Sequence, residues 1–250
     1  MTISSNTLFH FTRKLENLIG ILKEDFKPKY CVEDLSVLEF PKSFVQAVPM
    51  TCFCDLPLSQ LGEHLSFYGN YGIGLSKEWG FKNGIGPLIY LRPNSLLADY
   101  FSKITSILVK QKKTEESNFA LIYVFELLGF VKPYSGHFPK DGQMVHKRFY
   151  DEREWRWVPQ IGLDNDIKPR YFENKEYENE ELLAYANLKL SEKTRLLFTP
   201  EDIKYIIVSK ESEILDMVNE LKDLKLKFGE KAVKLLQSKV ISSEQIREDF

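Results

Sequence analysis

The densest chemistry in this chain lies in Tyr150-Asp151-Glu152-Arg153-Glu154-Trp155-Arg156-Trp157-Val158-Pro159. The segment reads as a strand, on which alternate side chains share a face. Glu152, Glu154, Arg156 and Val158 then point one way, and Arg153, Trp155 and Trp157 the other. The tryptophan face suits a core. A carboxylate beside an arginine on the opposite face suits a cross-strand ion pair on a solvated sheet or a substrate.

Other residues of chemical interest stand far from it in sequence. His10 closes a short strand, Thr7-Leu8-Phe9-His10-Phe11, just before a helix. Strand ends of this kind often carry functional side chains, although a lone histidine is as readily satisfied by a backbone carbonyl. Tyr68-Gly69-Asn70-Tyr71-Gly72-Ile73-Gly74 is rich in glycine. Its spacing is neither a phosphate-binding loop nor a dinucleotide fingerprint, so a turn, or close approach of backbone to a ligand, accounts for it. Cys52 and Cys54 on one strand, with Cys31 and His64, lack the turn and the second pair that a zinc site needs, so no metal is expected. A Cys54–His10 or Cys54–His64 nucleophile has no local support. A strand-end histidine, a tyrosine-rich segment and a late carboxylate suit cleavage of the N-glycosidic bond of NAD. Departure of nicotinamide leaves an oxocarbenium-like ribose that a carboxylate stabilises. An aromatic ring stacks the nicotinamide, and a His or Thr holds a hydroxyl or the amide.

The elements that must position these residues follow from periodicity. Thr12 is placed to cap a helix carrying Leu15, Leu18, Ile19 and Leu22. Residues 25–47 read as a long loop. Val48–Cys54 is a strand, followed by a helix through His64, Leu65 and Tyr68, then a strand over Tyr71–Ser76. After a strand at Leu88–Arg92, Asn94 caps a helix whose apolar face is Leu96, Leu97, Tyr100, Phe101, Ile104 and Leu108, and a second, more fully buried helix runs to about Gly129. This helical pair, 94–131, reads as an insertion. Pro133–Met144 reads as a loop. Later come a helix at 180–190, strands at 196–198 and 204–209, a helix at 213–227 and an unassigned segment, 233–241. Ser242 and Gln245 form a capping box for a C-terminal helix. The pattern is α+β in a single domain, 1–250, with a C-terminal extension at 229–250.

Bulk properties narrow the class. With 250 residues, 43% hydrophobic and 13% aromatic, the chain has ample core. A net charge of −2 demands neither nucleic acid nor an anionic membrane. Three cysteines make no disulfide framework, Met1–Ser5 begins no signal peptide, and no run is long enough to span a membrane. The expected location is the cytoplasm.

Leu8-Phe9-His10-Phe11-Thr12, followed by Asn17 to Leu22, resembles the opening of the DNA ADP-ribosyltransferase DarT. It is equally similar to a related bacterial family of unknown function. Thr51-Cys52-Phe53-Cys54, His64, Tyr68-Gly69 and Tyr71–Leu75 resemble the middle blocks of that family, and Glu152-Arg153-Glu154-Trp155-Arg156 its last. Over nearly its whole length the chain is similar to the AbiGi family, associated with abortive phage infection and labelled an antitoxin. The resemblance implies an ADP-ribosyltransferase-like split, bent β-core with NAD between two sheets. It implies that His10 holds a ribose hydroxyl, Tyr68 stacks nicotinamide and Glu154 is the catalytic acid, with Glu152 the second choice. Phe11, Thr12, Cys54 and Tyr71 would line the pocket. Cys54 stands where many such enzymes have Ser or Thr. NAD would be a substrate, and the acceptor DNA, RNA, protein or water. The competing expectation is a non-catalytic antitoxin that keeps the fold and binds a toxin or nucleotidyltransferase through the helical insertion. A nucleoside or nucleotide hydrolase using Glu152 and Glu154 is a third.

Overall fold

A computed structural model describes residues 4–38, 45–110, 114–160 and 176–249. Twelve strands are described: β1 Thr7–Thr12, β2 Lys29–Asp34, β3 Val45–Cys54, β4 Tyr71–Ser76, β5 Gly86–Pro87, β6 Ile89–Leu91, β7 Val131–Pro133, β8 Gly136–Lys140, β9 Gln143–Lys147, β10 Glu154–Trp157, β11 Ile203–Val208 and β12 Val240–Ser242. The main sheet runs β12-β11-β4-β1-β3-β10-β5, with β2 added to β3. Only the β11–β12 pair within it is parallel. Two short sheets, β6–β7 and β8–β9, stand apart. No described helix is long and apolar enough to cross a membrane.

Alternation along β1 sets up two cores. Leu8 faces a large cluster with Leu18, Leu22, Phe26, Phe53, Ile73, Leu75 and Trp79, completed by Met217, Leu221 and Leu236 from the C-terminal helices. Phe9 and Phe11 face the other side, with Leu61, Leu65, Ile207 and Ile246. Each such aromatic or aliphatic side chain stabilises the fold by roughly 1.5–3 kcal/mol through burial. The glycines of β4 make room for this packing. Phe9 pairs with Gly74 and Phe11 with Gly72. A Cβ at Gly72 would lie 2.5 Å from Phe11 Cδ1, and one at Gly74 2.7 Å from Phe9 Cε1. The glycine-rich segment therefore serves aromatic rings of the adjacent strand.

Several local expectations are corrected. Thr12 is the last residue of β1, and its hydroxyl accepts from Asn17 Nδ2 (2.8 Å). The helix Leu15–Glu24 starts after Lys14 without a side-chain cap. The expected loop 25–47 holds β2 and the start of β3, and the loop 133–144 holds the β8–β9 hairpin. Asn94 has φ 58°, and Ser95 Oγ accepts from Ala98 N–H instead. Residues 196–198 contribute only a bridge, Phe26 to Leu196. Segment 233–241 is first a helix, Glu230–Gln237, then β12, which joins the edge of the main sheet. The capping box holds: Ser242 Oγ accepts from Gln245 N–H, and Gln245 Oε1 from Ser242 N–H.

β3 is strongly bent. Its first half pairs with β2, placing Glu33 opposite Gln46. Its second half pairs with β10, placing Arg156 opposite Cys52. On a straight strand those positions lie about 20 Å apart, further than an arginine and a glutamate reach together. Yet Arg156 Nη2 donates to Glu33 Oε1. The bend turns β2 back over β10.

Candidate functional site

β1 and β3 share one residue pair, Phe9 with Cys54. Past it the strands part, and a cleft of about 1160 Å³ opens between them. His10, Phe11, Thr12, Tyr68, Glu152 and Glu154 all line it. These residues come from β1, the helix Leu61–Tyr68, the 3-10 turn Phe149–Glu152 and the first position of β10. Two expected lining residues are elsewhere. Cys54 is buried in the Phe9 core, where burial pushes its thiol pKa up. Tyr71 packs against the larger core and donates its hydroxyl to Glu213 Oε1 (2.9 Å).

His10 Nδ1 lies 2.8 Å from the Cys52 carbonyl oxygen. A carbonyl only accepts, so Nδ1 carries the proton. Burial lowers the ring's pKa, partly offset by that hydrogen bond and reinforced by Lys29. Neutral His10 therefore leaves Nε2 as an acceptor. Its ring is fixed edge-on against Phe26, at 5.3 Å between centroids.

The acids lie in a buried ion network. Glu154 Oε1 accepts from Arg156 Nε (2.6 Å) and Oε2 from Lys132 Nζ (2.5 Å). Arg156 is 0% exposed and also donates Nη1 to the Gly129 carbonyl (2.9 Å). Glu152 Oε2 accepts from Lys132 Nζ (2.8 Å), and its Oε1 accepts from the Tyr68 hydroxyl. Lys147 Nζ lies 2.6 Å from Glu152 Oε1 as an ion pair without hydrogen-bond alignment, and 3.6 Å from the centre of the Phe67 ring. Three acids (Glu33, Glu152, Glu154) thus meet three cations (Lys132, Lys147, Arg156), and the set is neutral. Burial opposes the charge of Glu154, but Arg156 and Lys132 hold its pKa well below the usual carboxylate range. Glu152 is held down in the same way by Lys132 and Lys147. Glu33 differs: burial outweighs Arg156, and its pKa is raised.

The tyrosine and histidine beside this network are neutral. Burial, then Glu152, raises the Tyr68 pKa. Burial lowers that of His64 to about 4, against the pull of Glu152. The two rings lie 4.5 Å apart, tilted by 33°. Phe138, from the β8–β9 hairpin, meets Tyr68 edge-on at 5.6 Å.

The opening stretch is built differently from a continuous strand. Arg153 adopts a left-handed conformation, φ 46°. It separates Glu152, in the 3-10 turn, from Glu154, in β10. Alternation therefore holds only from Glu154 onward, and burial is inverted relative to the solvated-face reading. Glu154 and Arg156 are buried, while Trp155 and Trp157 are half-buried. Lys132, Lys147 and Glu33 escaped sequence reading. The alternation Lys29-x-Cys31-x-Glu33 signals β2 and places Glu33 on one face, but nothing local marks Lys132 or Lys147. Among the described residues, no group of three His, Cys, Asp or Glu is placed to hold a metal.

Comparison with known proteins gives the chain its family. Residues 24–209 match the family model described as "Putative abortive phage resistance protein AbiGi, antitoxin". The chain is also 31% identical, over 90% of its own length and 99% of the relative's, to the abortive phage resistance protein AbiGi of Lactococcus lactis subsp. cremoris. No solved structure matches it. With most of its length matched by both, the chain belongs to the AbiGi family of abortive phage resistance proteins.

Proposed function

We propose that this anti-phage protein binds NAD in the cleft between β1 and β3, and there transfers ADP-ribose to a macromolecule or releases it to water, on an ADP-ribosyltransferase-like core. One observation carries this: His10, Thr12, Tyr68 and Glu154, distant in sequence, line a single cleft where the central sheet splits. Its volume, about 1160 Å³, exceeds the roughly 300–1,000 Å³ of ordinary small-molecule sites and suits an extended dinucleotide. The chemistry assigned to the residues follows from their states. Glu154 is anionic, so it stabilises positive charge developing on the ribose as nicotinamide leaves. Each of its oxygens uses one lone pair on an internal cation and keeps another for a hydroxyl. Nε2 of His10 accepts from a ribose hydroxyl. Tyr68, its hydroxyl fixed on Glu152, forms part of the cleft wall. The test is nicotinamide release by the purified chain. Glu154→Gln is expected to reduce it at least about 100-fold. A wild-type chain that neither binds NAD nor releases nicotinamide would sink the proposal.

A second reading has its own observation. The helices Leu96–Lys110 and Glu115–Leu128 leave Leu97, Tyr100, Ile104, Ile107, Tyr123 and Leu127 exposed. The first four repeat at three- and four-residue intervals, as in a helix–helix seam. With the family's antitoxin description, this fits a surface that docks a cognate toxin. Ile104→Asp should then abolish co-purification with the toxin while leaving any NAD binding intact. Undiminished co-purification would refute the docking role.

A further inference from the structure

Two of the three cysteines share the wall of the cleft. Cys31 lies on β2 and Cys52 on β3, both half-buried, both free and both lining the cavity. Their register partners do not place them together: Cys31 is opposite Val48. The bend in β3 does. Cys31 alternates with Glu33 on β2, and Cys52 lies opposite Arg156 on β10. The bend that brings Glu33 onto Arg156 therefore turns the two thiols toward each other, close enough for each to shift the other's pKa. Cys31 Sγ donates to the Lys29 carbonyl (3.5 Å). Cys54, by contrast, is buried in the Phe9 core and does not line this cleft.

We propose that Cys31 and Cys52 form a dithiol site that a peroxide converts to a disulfide across the bent strand, a redox modification independent of NAD chemistry. The Cys31 sulfur attacks one peroxide oxygen. The O–O bond breaks, the departing oxygen leaves as water, and Cys31 becomes a sulfenic acid. Cys52 then attacks that sulfur, the S–O bond breaks and a second water leaves. One peroxide is reduced, and two thiols are oxidised to one disulfide. Cys31 is the attacking group because neighbouring Cys52 and Arg156 lower its pKa against the effect of burial. Cys52, whose pKa Cys31 and burial raise, is the resolving thiol. The bond would staple β2 to the second half of β3 and fix the bend that forms the cleft wall.

The test uses the full wild-type chain. It is treated with hydrogen peroxide, unfolded, alkylated and weighed, and the alkylated residue is located by fragmentation. Oxidised protein should lose the mass of two hydrogens and take one alkyl group, on Cys54, where untreated protein takes three. Cys54→Ser should still lose two hydrogens and then take none. Alkylation of all three cysteines after treatment would overturn the proposal. So would a disulfide that includes Cys54, a cross-link between two chains, or over-oxidation of Cys31 without a disulfide.

Discussion

Replacing Arg156 by methionine is the sharpest test of the buried network. The guanidinium makes three hydrogen bonds, to Glu154, Glu33 and the Gly129 carbonyl, and is fully buried. Met keeps most of the volume and removes the charge. Glu154 retains Lys132. Glu33 loses its only ion pair among the described residues and stays in a site where burial already raises its pKa. Breaking one side of a buried pair costs about 3–5 kcal/mol, about a fifth or more of a typical domain's stability of about 5–15 kcal/mol. With a urea m-value of about 2–3 kcal/mol/M, the midpoint should fall by about 1–2 M. Tryptophan fluorescence reports it, since Trp155 and Trp157 flank the site. The deficit should shrink with acidity. A carboxylate left buried without its cation has a folded pKa above its unfolded one, so the folded variant binds protons first between neutrality and the ordinary carboxylate range. Adding Glu33→Gln should restore at least about 1 kcal/mol. A midpoint shift below about 0.3 M, or no recovery in the double variant, would refute the network.

Other substitutions separate local causes. His64 has a folded pKa of about 4 against an ordinary 6.5. Its contribution is complete above pH 6.5 and lost as pH falls toward 4, because the unfolded chain takes the proton first; His64→Gln should remove a slope worth at most about 3 kcal/mol, read from urea titrations across that range. Gly62→Ala, inside a helix and with nothing within 4 Å of the added carbon, should stabilise by about 0.5–1 kcal/mol. Gly69→Ala should destabilise by more than about 2 kcal/mol, since φ is +116° and the new carbon would meet the Thr12 carbonyl oxygen at 2.3 Å; thermal melts of both variants check the pair.

Much of the frame is legible from periodicity. The strand of His10, the strand of Cys52 and Cys54, the helix of Tyr68 and the helices Leu96–Lys110 and Glu115–Leu128 are all where alternation and helical spacing put them. What periodicity misses is set by contacts across the chain. β2 hides in a polar stretch because each face buries one residue, Tyr30 on one and Glu33 on the other, so no apolar alternation shows. The β8–β9 hairpin hides behind its Gly and Pro residues. The break at Arg153 leaves no signal, since a left-handed arginine is spelled like any other. The same limit applies to the site. His10, Tyr68 and Glu154 lie on one cleft, but the cations that set the charge of Glu154 come from segments 22 residues away in one case and two in the other. Tyr71 looks like a cleft residue by proximity to Tyr68, and β4 turns it toward Glu213.

The order of strands has a consequence for how the chain is made. β1, the earliest in sequence of the described strands, sits in the middle of the sheet, flanked by β3 and β4. These three can pair as soon as residue 76 has emerged. β10 comes only after the two helices between residues 96 and 128 and the β8–β9 hairpin, and until it does the second half of β3 is a bare edge. β11 leaves the far edge of β4 open longer still. A nascent chain therefore spends much of its synthesis with both sheet edges unprotected, open to pairing with another copy. Glu154 and Arg156 arrive on the strand that closes the first of those edges, so the ion network and protection from aggregation are completed in the same step.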